Sequence, residues 1–290
     1  MTRRGAVLFA VMCVIWGIPY LMIRVAVREL APVTLVFLRT AIGALLLTPV
    51  AAYRGELRPL LARWKPLLVY TAVEVAIPWV LLARAETKLT SSLTGLLIAA
   101  VPLVGALIVT LTGERERLGA RRWVGLLVGI AGVAALVGLD VGAVDVAALV
   151  EIGLVAVGYA VGPIILSRSM SQLPPYGVVA SSLLLTAIVY LPFAAARRPS
   201  GLPSAHVIES VLGLAAICTA LAFLVFFALI AEVGPVRATV ITYINPAVAA
   251  VLGVTLLSEH LTGGMVVGFA LVLLGCVLAT GRAAEAIAEP

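Results

Sequence analysis

One ionisable side chain, Glu74, lies in the middle of an apolar run, where a charge is costly and commonly serves a function. We consider two such functions: a proton-coupling carboxylate, or a contact for the ammonium group of a substrate. The structural alternative is a protonated acid that hydrogen-bonds a neighbouring helix. Tyr70 and Pro78 share the helical face of Glu74 through their spacing of four residues, whereas Trp79 points elsewhere.

Aromatic and polar side chains in other apolar runs could line a substrate site, because rings can stack on an apolar substrate group. Trp16 lies too deep in its run for the aromatic belt at a membrane interface. The predicted substrate-binding residues are Trp16, Tyr20, Tyr70, Glu74, Trp79, Tyr159, Phe223, Tyr243 and Asn245. Arg39 could neutralise a substrate carboxylate, but we favour a charge that reaches the interface or pairs with backbone carbonyls. We also expect Arg24 and Glu151 at the interface.

Proline inside an apolar helix frees a backbone carbonyl one turn back, which lipid tolerates only beside a cavity or a polar neighbour. We therefore predict kinks at five prolines: Pro19, Pro78, Pro102, Pro163 and Pro246.

The amino-acid composition indicates that membrane-spanning helices position these residues. Of 290 residues, 63% are hydrophobic and 12% are charged, against roughly a quarter charged in soluble proteins. This excludes a soluble enzyme and a nucleic-acid-binding protein and predicts an all-α, polytopic protein whose surroundings are the lipid bilayer. A helix needs about 20 apolar residues to cross a membrane. Ten runs qualify: 5–23, 33–53, 66–84, 90–112, 121–139, 146–167, 176–196, 207–231, 236–257 and 262–281.

The basic residues predict how these spans are oriented. Thirteen Lys and Arg residues fall on the side of the termini and six on the other side, with Arg39 inside a span. Because cytoplasmic loops are enriched in basic residues, both termini are predicted to be cytoplasmic, in a cell (inner) membrane. The segment from Asp140 to Asp145 should then face outward.

The two halves of the chain resemble each other, with one copy at 1–143 and the other at 144–290. Pro19, Arg24 and Pro102 recur 144 residues later, and Glu116-Arg117-Leu118 matches Glu259-His260-Leu261 at a shift of 143. Five spans per copy is an odd number, so the second copy must insert upside down. Such inverted repeats are typical of secondary transporters that bind substrate near the membrane midplane.

These features resemble the drug/metabolite transporter superfamily, EamA type, along nearly the whole chain. The resemblance rests on three motifs and their recurrence: Trp16-Gly17, Arg39, and the stretch from Pro102 through Glu114-Arg115-Glu116-Arg117-Leu118, repeated from Pro246 through Ser258-Glu259-His260-Leu261. It implies an exporter of amino acids or other small metabolites, including aromatic amino-acid exporters of the YddG type. Ser182 departs from the pattern, because it replaces the arginine expected opposite Arg39.

The predicted function is therefore secondary active export by alternating access, through a central cavity lined by the first, third, fourth, sixth, eighth and ninth spans. Multidrug or other metabolite efflux stays the alternative. A sugar-nucleotide carrier would need several embedded basic residues. A membrane enzyme is less favoured, since both aspartates flank a loop and both histidines lie at span edges.

We expect no cofactor or metal, because the chain has no Walker motif, no HExxH motif and no zinc-type cysteine spacing. The glycines of the fifth and tenth spans suit either a scaffold or a dimer face. A homodimer stays open, although one copy should suffice.

Overall fold

The computed structural model describes residues 1–111, 120–138, 145–197, 199 and 201–286, and every regular element within them is helical. Glu114 to Leu118 and Asp140 lie outside the described residues. Ten helices are long and apolar enough to cross a membrane, which confirms the predicted number. They are Arg3–Ala26, Pro32–Tyr53, Trp64–Ala85, Ser91–Leu111, Ala120–Gly138, Val146–Ser169, Pro175–Ala196, Ala205–Val233, Thr239–Leu257 and Gly263–Thr280. We number them as the first to the tenth span.

The most extensive helix pairs join the two halves of the chain: the fifth span packs on the tenth, and the second on the seventh. The first span packs on the eighth, the third on the sixth and the fourth on the ninth, so the bundle is built from contacts between halves. This arrangement is compatible with an inverted repeat and places the centre of the bundle at the boundary between the two halves.

Glycines make the contact between the fifth and tenth spans. A Cβ atom added at Gly275 would lie 2.5 Å from the Gly129 nitrogen, and one at Gly132 would lie 2.6 Å from the Val272 nitrogen. Backbone cannot move aside as a flexible side chain can. The glycine faces therefore pack against each other within one chain, and they are not a surface for a second copy.

Gly275→Ala is expected to lower the free energy of unfolding by about 1–3 kcal/mol, because the added methyl overpacks a backbone contact. Samples are heated and then run on size-exclusion chromatography, and the temperature at which half of the folded-protein peak is lost gives the Tm, which should be lower for Gly275→Ala. Gly153→Ala is the matched control, because nothing lies within 4 Å of a Cβ at that position. Equal Tm values for the two variants would contradict the packing.

Five spans are interrupted, and all five belong to the set predicted to line the cavity. The first span breaks between Ile15 and Pro19, and the fourth between Ile98 and Val101. π-helical turns occupy Thr71–Ala76 of the third span and Ala216–Leu221 of the eighth, and a 3-10 helix at Thr239–Tyr243 opens the ninth. The two π-helical turns are 145 residues apart at both ends. Such turns are frequent at functional sites, because they redirect backbone polar groups.

Four of the five prolines predicted to kink helices follow these interruptions. Pro19 begins a helix, Pro78 follows the first π-helical turn, Pro102 follows the break in the fourth span, and Pro246 follows the 3-10 helix. Pro163 instead lies inside the continuous helix Val146–Ser169, so the helix is not interrupted there.

Candidate functional site

Arg39 lies in the interior of the bundle, which corrects the predicted interface position. Only 8% of Arg39 is exposed. Its Nε–H donates to the Thr219 hydroxyl of the eighth span at 2.9 Å. The guanidinium carbon lies 3.7 Å from the ring centroid of Trp79 in the third span. Side chains from both halves of the chain therefore hold this cation, and the π-helical turn of the eighth span supplies Thr219.

The surroundings of Arg39 compensate its charge only in part. Tyr20, Tyr159 and Glu86 lie within electrostatic reach, but among the described residues no carboxylate forms an ion pair with Arg39. Burying a lone charge costs several kcal/mol in practice. Stacking on an aromatic ring recovers about 2 kcal/mol, and a hydrogen bond from a charged donor about 1.5–3 kcal/mol. A buried cation held in this way is suited to receive an anionic group.

Tyr159 of the sixth span links this cation to Glu74. Tyr159 lies beside Trp79 and within electrostatic reach of both Arg39 and Glu74. The Glu74 side chain lies against Gly162, where any Cβ would overlap the carboxyl group. Glycine at position 162 therefore makes the room that the acid occupies.

Glu74 has a buried oxygen without a hydrogen-bond partner, Oε2. Tyr70 on its own helix and Tyr159 on the facing helix are its titratable electrostatic neighbours. An ionised carboxylate with an unsatisfied buried oxygen is costly, so this surrounding favours the protonated form.

The other predicted substrate-binding residues are not gathered in this cluster. Trp16 packs on Phe226 with 4.7 Å between ring centroids and on Phe223 with 6.0 Å, next to the break in the first span. Tyr70 lies within electrostatic reach of Glu74, but its side chain packs in a separate apolar cluster with Leu67 and Met170. The structure therefore brings together Tyr20, Trp79, Tyr159 and Glu74 around the missed residue Arg39.

Tyr243 and Asn245 make bonds that tie helices to each other. The Tyr243 hydroxyl lies 3.4 Å from the Thr280 hydroxyl of the tenth span. The Asn245 amide, oriented to satisfy its neighbours, donates to the carbonyl oxygens of Cys13 and Ile241 at 3.0 Å each. These carbonyls lie at the interruptions of the first and ninth spans, so Asn245 stabilises both.

One end of the bundle is fastened by a carboxylate, and we call it the Glu259 end. The Glu259 carboxylate accepts hydrogen bonds from the backbone N–H groups of Ser91 and Ser92 at 2.8 and 2.9 Å. It also accepts from both serine hydroxyls, at 3.1 and 2.6 Å. A helix N-terminus favours negative charge, and these donors belong to the first turn of the fourth span. We call Glu259, Ser91 and Ser92 the Glu259 latch.

The backbone before Glu259 has an unusual conformation. Ser258 has a positive φ of 56°, in the left-handed region that serine seldom adopts. This residue ends the helix Asn245–Leu257 and turns the chain so that Glu259 reaches the fourth span. A residue held in this region is commonly stabilised by its surroundings at a functional position.

The Glu259 latch closes the contact between the fourth and ninth spans at this end, and the fourth span is more completely buried there. Every residue of Ser91–Leu97 is buried, whereas in Val101–Leu111 of the same span only Leu103 is buried. The ninth span shows no such difference, because Ile241 and Asn245 are buried toward one end and Ala249, Ala250 and Gly253 toward the other.

Loops at the Glu259 end make further polar contacts. Arg24, predicted at the interface, donates to the backbone carbonyl of Glu86. The Lys88 ammonium group lies 2.5 Å from an Asp145 oxygen, and it lowers the pKa of that carboxyl. Glu151 pairs with Arg84 at 2.8 Å.

Sequence reasoning missed three features of this arrangement: Arg39 as a central cation, the buried Glu86, and the Glu259 latch. Glu259 was visible as an acidic residue shared by the two halves. The signal for its partners was the pair of serines that follows Thr90, which caps the helix Ser91–Ile98. Nothing in the spacing indicated that Glu86, one residue beyond the third span, has a side chain that is 0% exposed.

Ten membrane-spanning helices around a buried polar centre, with interrupted helices at that centre, define the class of polytopic membrane transporters. The model of the EamA-like transporter family matches residues 3–138 and 148–281, and the chain belongs to this family.

Relatives in bacteria and archaea are named as transporters. The uncharacterized inner membrane transporter YedA of Escherichia coli K12 is 30% identical over 257 residues, covering 86% of this chain and 81% of YedA. The uncharacterized transporter YvbV of Bacillus subtilis 168 is 25% identical and covers 97% of this chain and 93% of YvbV. An uncharacterized transporter of Archaeoglobus fulgidus is also 25% identical, covering 93% of this chain and 96% of the relative. These names point to a transporter rather than an enzyme.

One solved crystal structure of a protein covers 100% of both chains with a TM-score of 0.67 at 21% identity. Similarity at this identity shows the fold alone. The family and the fold are thus confirmed, whereas similarity to YddG-type exporters stays a prediction.

Proposed function

We propose that this protein is a secondary active exporter of amino acids, aromatic ones included, or of related small metabolites, and that it works by alternating access. The observation that carries this proposal is the buried Arg39, which spans of both halves hold beside aromatic rings and across Tyr159 from the acid Glu74. A cation, an acid and aromatic surfaces in one centre suit a small zwitterion with an apolar side chain. Spans from both halves can move relative to each other around such a centre.

The proposed orientation places both termini in the cytoplasm, so that the Glu259 end faces outward and this conformation is closed to the outside. Leu202, 97% exposed, and Arg58 provide reporters on opposite sides. In intact cells an impermeant thiol reagent should label Leu202→Cys and spare Arg58→Cys, and the reverse pattern would overturn the orientation. Cys13, Cys218 and Cys276 are buried and contribute little background.

Transport by purified protein in lipid vesicles tests the function. Vesicles loaded with a panel of labelled amino acids should release a subset of them faster than protein-free vesicles, with and without an imposed pH gradient. Cationic drugs in the same panel serve as the comparison. Release of drugs without release of any amino acid or related metabolite would replace this proposal with multidrug efflux.

A further inference from the structure

Arg39 has hydrogen-bonding capacity that the described part of the protein does not use. A guanidinium has five N–H donors in a planar fork. Among the described residues, only the Nε–H has a recorded acceptor, the Thr219 hydroxyl. The face of the fork is covered by Trp79, so its remaining N–H groups point along its edge. Such an edge matches the two oxygens of a carboxylate.

We propose that Arg39 is the binding point for the carboxylate of the transported molecule, an assignment that rests on the proposed export function. Thr219 and Trp79 fix the position of the guanidinium fork, and the tyrosines Tyr20 and Tyr159 stand within its electrostatic reach. The transported molecule then needs one carboxylate and an adjoining apolar group. A molecule with an amine alone lacks the group that Arg39 binds.

The position that corresponds to Arg39 in the second half indicates how many carboxylates the transported molecule needs. Ser182 lies 143 residues after Arg39, is 1% exposed, and its hydroxyl accepts a hydrogen bond from Thr71 at 3.0 Å. Each half thus carries a buried polar residue on its second helix that bonds a threonine in the third helix of the other half. Only one of these positions is charged. This pair of positions therefore offers one cation, Arg39, which favours monocarboxylates over dicarboxylates.

A structural role for Arg39 is the rival explanation, with Glu86 as its balancing charge. The Glu86 side chain is 0% exposed, its oxygens lack hydrogen-bond partners, and it interacts electrostatically with Arg39 and Arg24. If balance were the only role, Glu86→Gln would restore the properties of an Arg39→Gln protein. The double variant therefore separates structural balance from ligand binding.

Binding to purified, detergent-solubilised protein tests the assignment without any transport step. The probes are L-phenylalanine, 3-phenylpropionate, which keeps only the carboxylate, and phenethylamine, which keeps only the amine. Binding is measured as ligand-dependent thermal stabilisation and by isothermal titration calorimetry. The variants are Arg39→Gln, Arg39→Lys, Thr219→Val and Arg39→Gln/Glu86→Gln. Arg28→Gln is the control, because Arg28 is exposed in a loop at the same end.

The wild type and Arg28→Gln should bind L-phenylalanine and 3-phenylpropionate, which carry a carboxylate, and should not bind phenethylamine. Arg39→Gln should bind at least about 30-fold more weakly, as expected when one partner of a buried charged pair is removed. Arg39→Lys and Thr219→Val should fall between, and the double variant should stay weak even where its stability recovers.

Four results would overturn the assignment. Two concern the variants: wild-type affinity in folded Arg39→Gln, or restored binding in the double variant. Two concern the wild type: equal affinity for phenethylamine and 3-phenylpropionate, or no binding of L-phenylalanine and 3-phenylpropionate. Arg39-dependent binding without vesicle transport would instead overturn the export function and leave the carboxylate site standing.

Discussion

Glu74→Gln is expected to abolish transport driven by a pH gradient while the protein stays folded. Glutamine keeps the shape of glutamate and its hydrogen bonding, but it cannot release a proton. In this structure Glu74 has a buried oxygen without a partner, and it faces tyrosines rather than cations, so the protonated form is favoured here. Exposure to water in the alternate conformation, or a bound ammonium group, would favour ionisation. Alternation between these two conditions couples proton movement to transport.

Vesicle transport with and without an imposed pH gradient measures this effect. Glu151→Gln is the matched control: it also replaces a carboxylate inside a span, but that carboxylate pairs with Arg84. The control should keep most of its gradient-driven rate. Wild-type rate and pH dependence in Glu74→Gln would remove Glu74 from the mechanism and leave a structural hydrogen-bonding role. Retained gradient coupling, together with weaker binding of L-phenylalanine but unchanged binding of 3-phenylpropionate, would favour the ammonium-contact role.

Glu259→Gln should open the end of the bundle that is closed in this structure. The charged carboxylate accepts from four donors of Ser91 and Ser92, and charge-assisted bonds are roughly twice as strong as neutral ones. A neutral amide with one acceptor oxygen should weaken closure by about 2 kcal/mol, which is roughly a 30-fold change in the equilibrium between closed and open states.

The thiol reactivity of Leu96→Cys in purified protein measures the opening, because Leu96 is 2% exposed in the buried half of the fourth span. The rate should rise by more than tenfold when Glu259→Gln is added. Glu29→Gln is the control, because Glu29 bonds Ser204 at the same end but is solvent-exposed, and exposed pairs contribute little. Equal reactivity in the two backgrounds would show that the Glu259 latch does not hold this end closed.

The ten spans could be predicted from sequence because each is a local property, a run of about 20 apolar residues. Four of the helix interruptions could also be predicted from local sequence, because Pro19, Pro78, Pro102 and Pro246 each follow one. Pro163 shows the limit of that rule, because its helix continues through it. The π-helical turn at Ala216–Leu221 has no proline to indicate it.

Which residues meet in the central site could not be predicted from any local stretch of sequence. Helical periodicity predicts Tyr70 and Pro78 on the face of Glu74, but the π-helical turn Thr71–Ala76 lies between them, and periodicity says nothing about which face meets which neighbour. Trp79 was assigned to another face, and that face holds Arg39. Whether an arginine eight residues into a span reaches the interface or is buried depends on packing against Thr219, 180 residues away.

Transport by alternating access requires the Glu259 end to open and close. A direct test replaces the latch with a covalent bridge between Ser91→Cys and Glu259→Cys. In the native protein the Ser91 hydroxyl lies 3.1 Å from a Glu259 oxygen. A short thiol cross-linker that a reductant can cleave joins the two cysteines. Each single-cysteine variant, treated with the same reagent, controls for modification alone. Cross-linked protein in vesicles should lose amino-acid transport and regain it on reduction. Undiminished transport by fully cross-linked protein would contradict alternating access through this end.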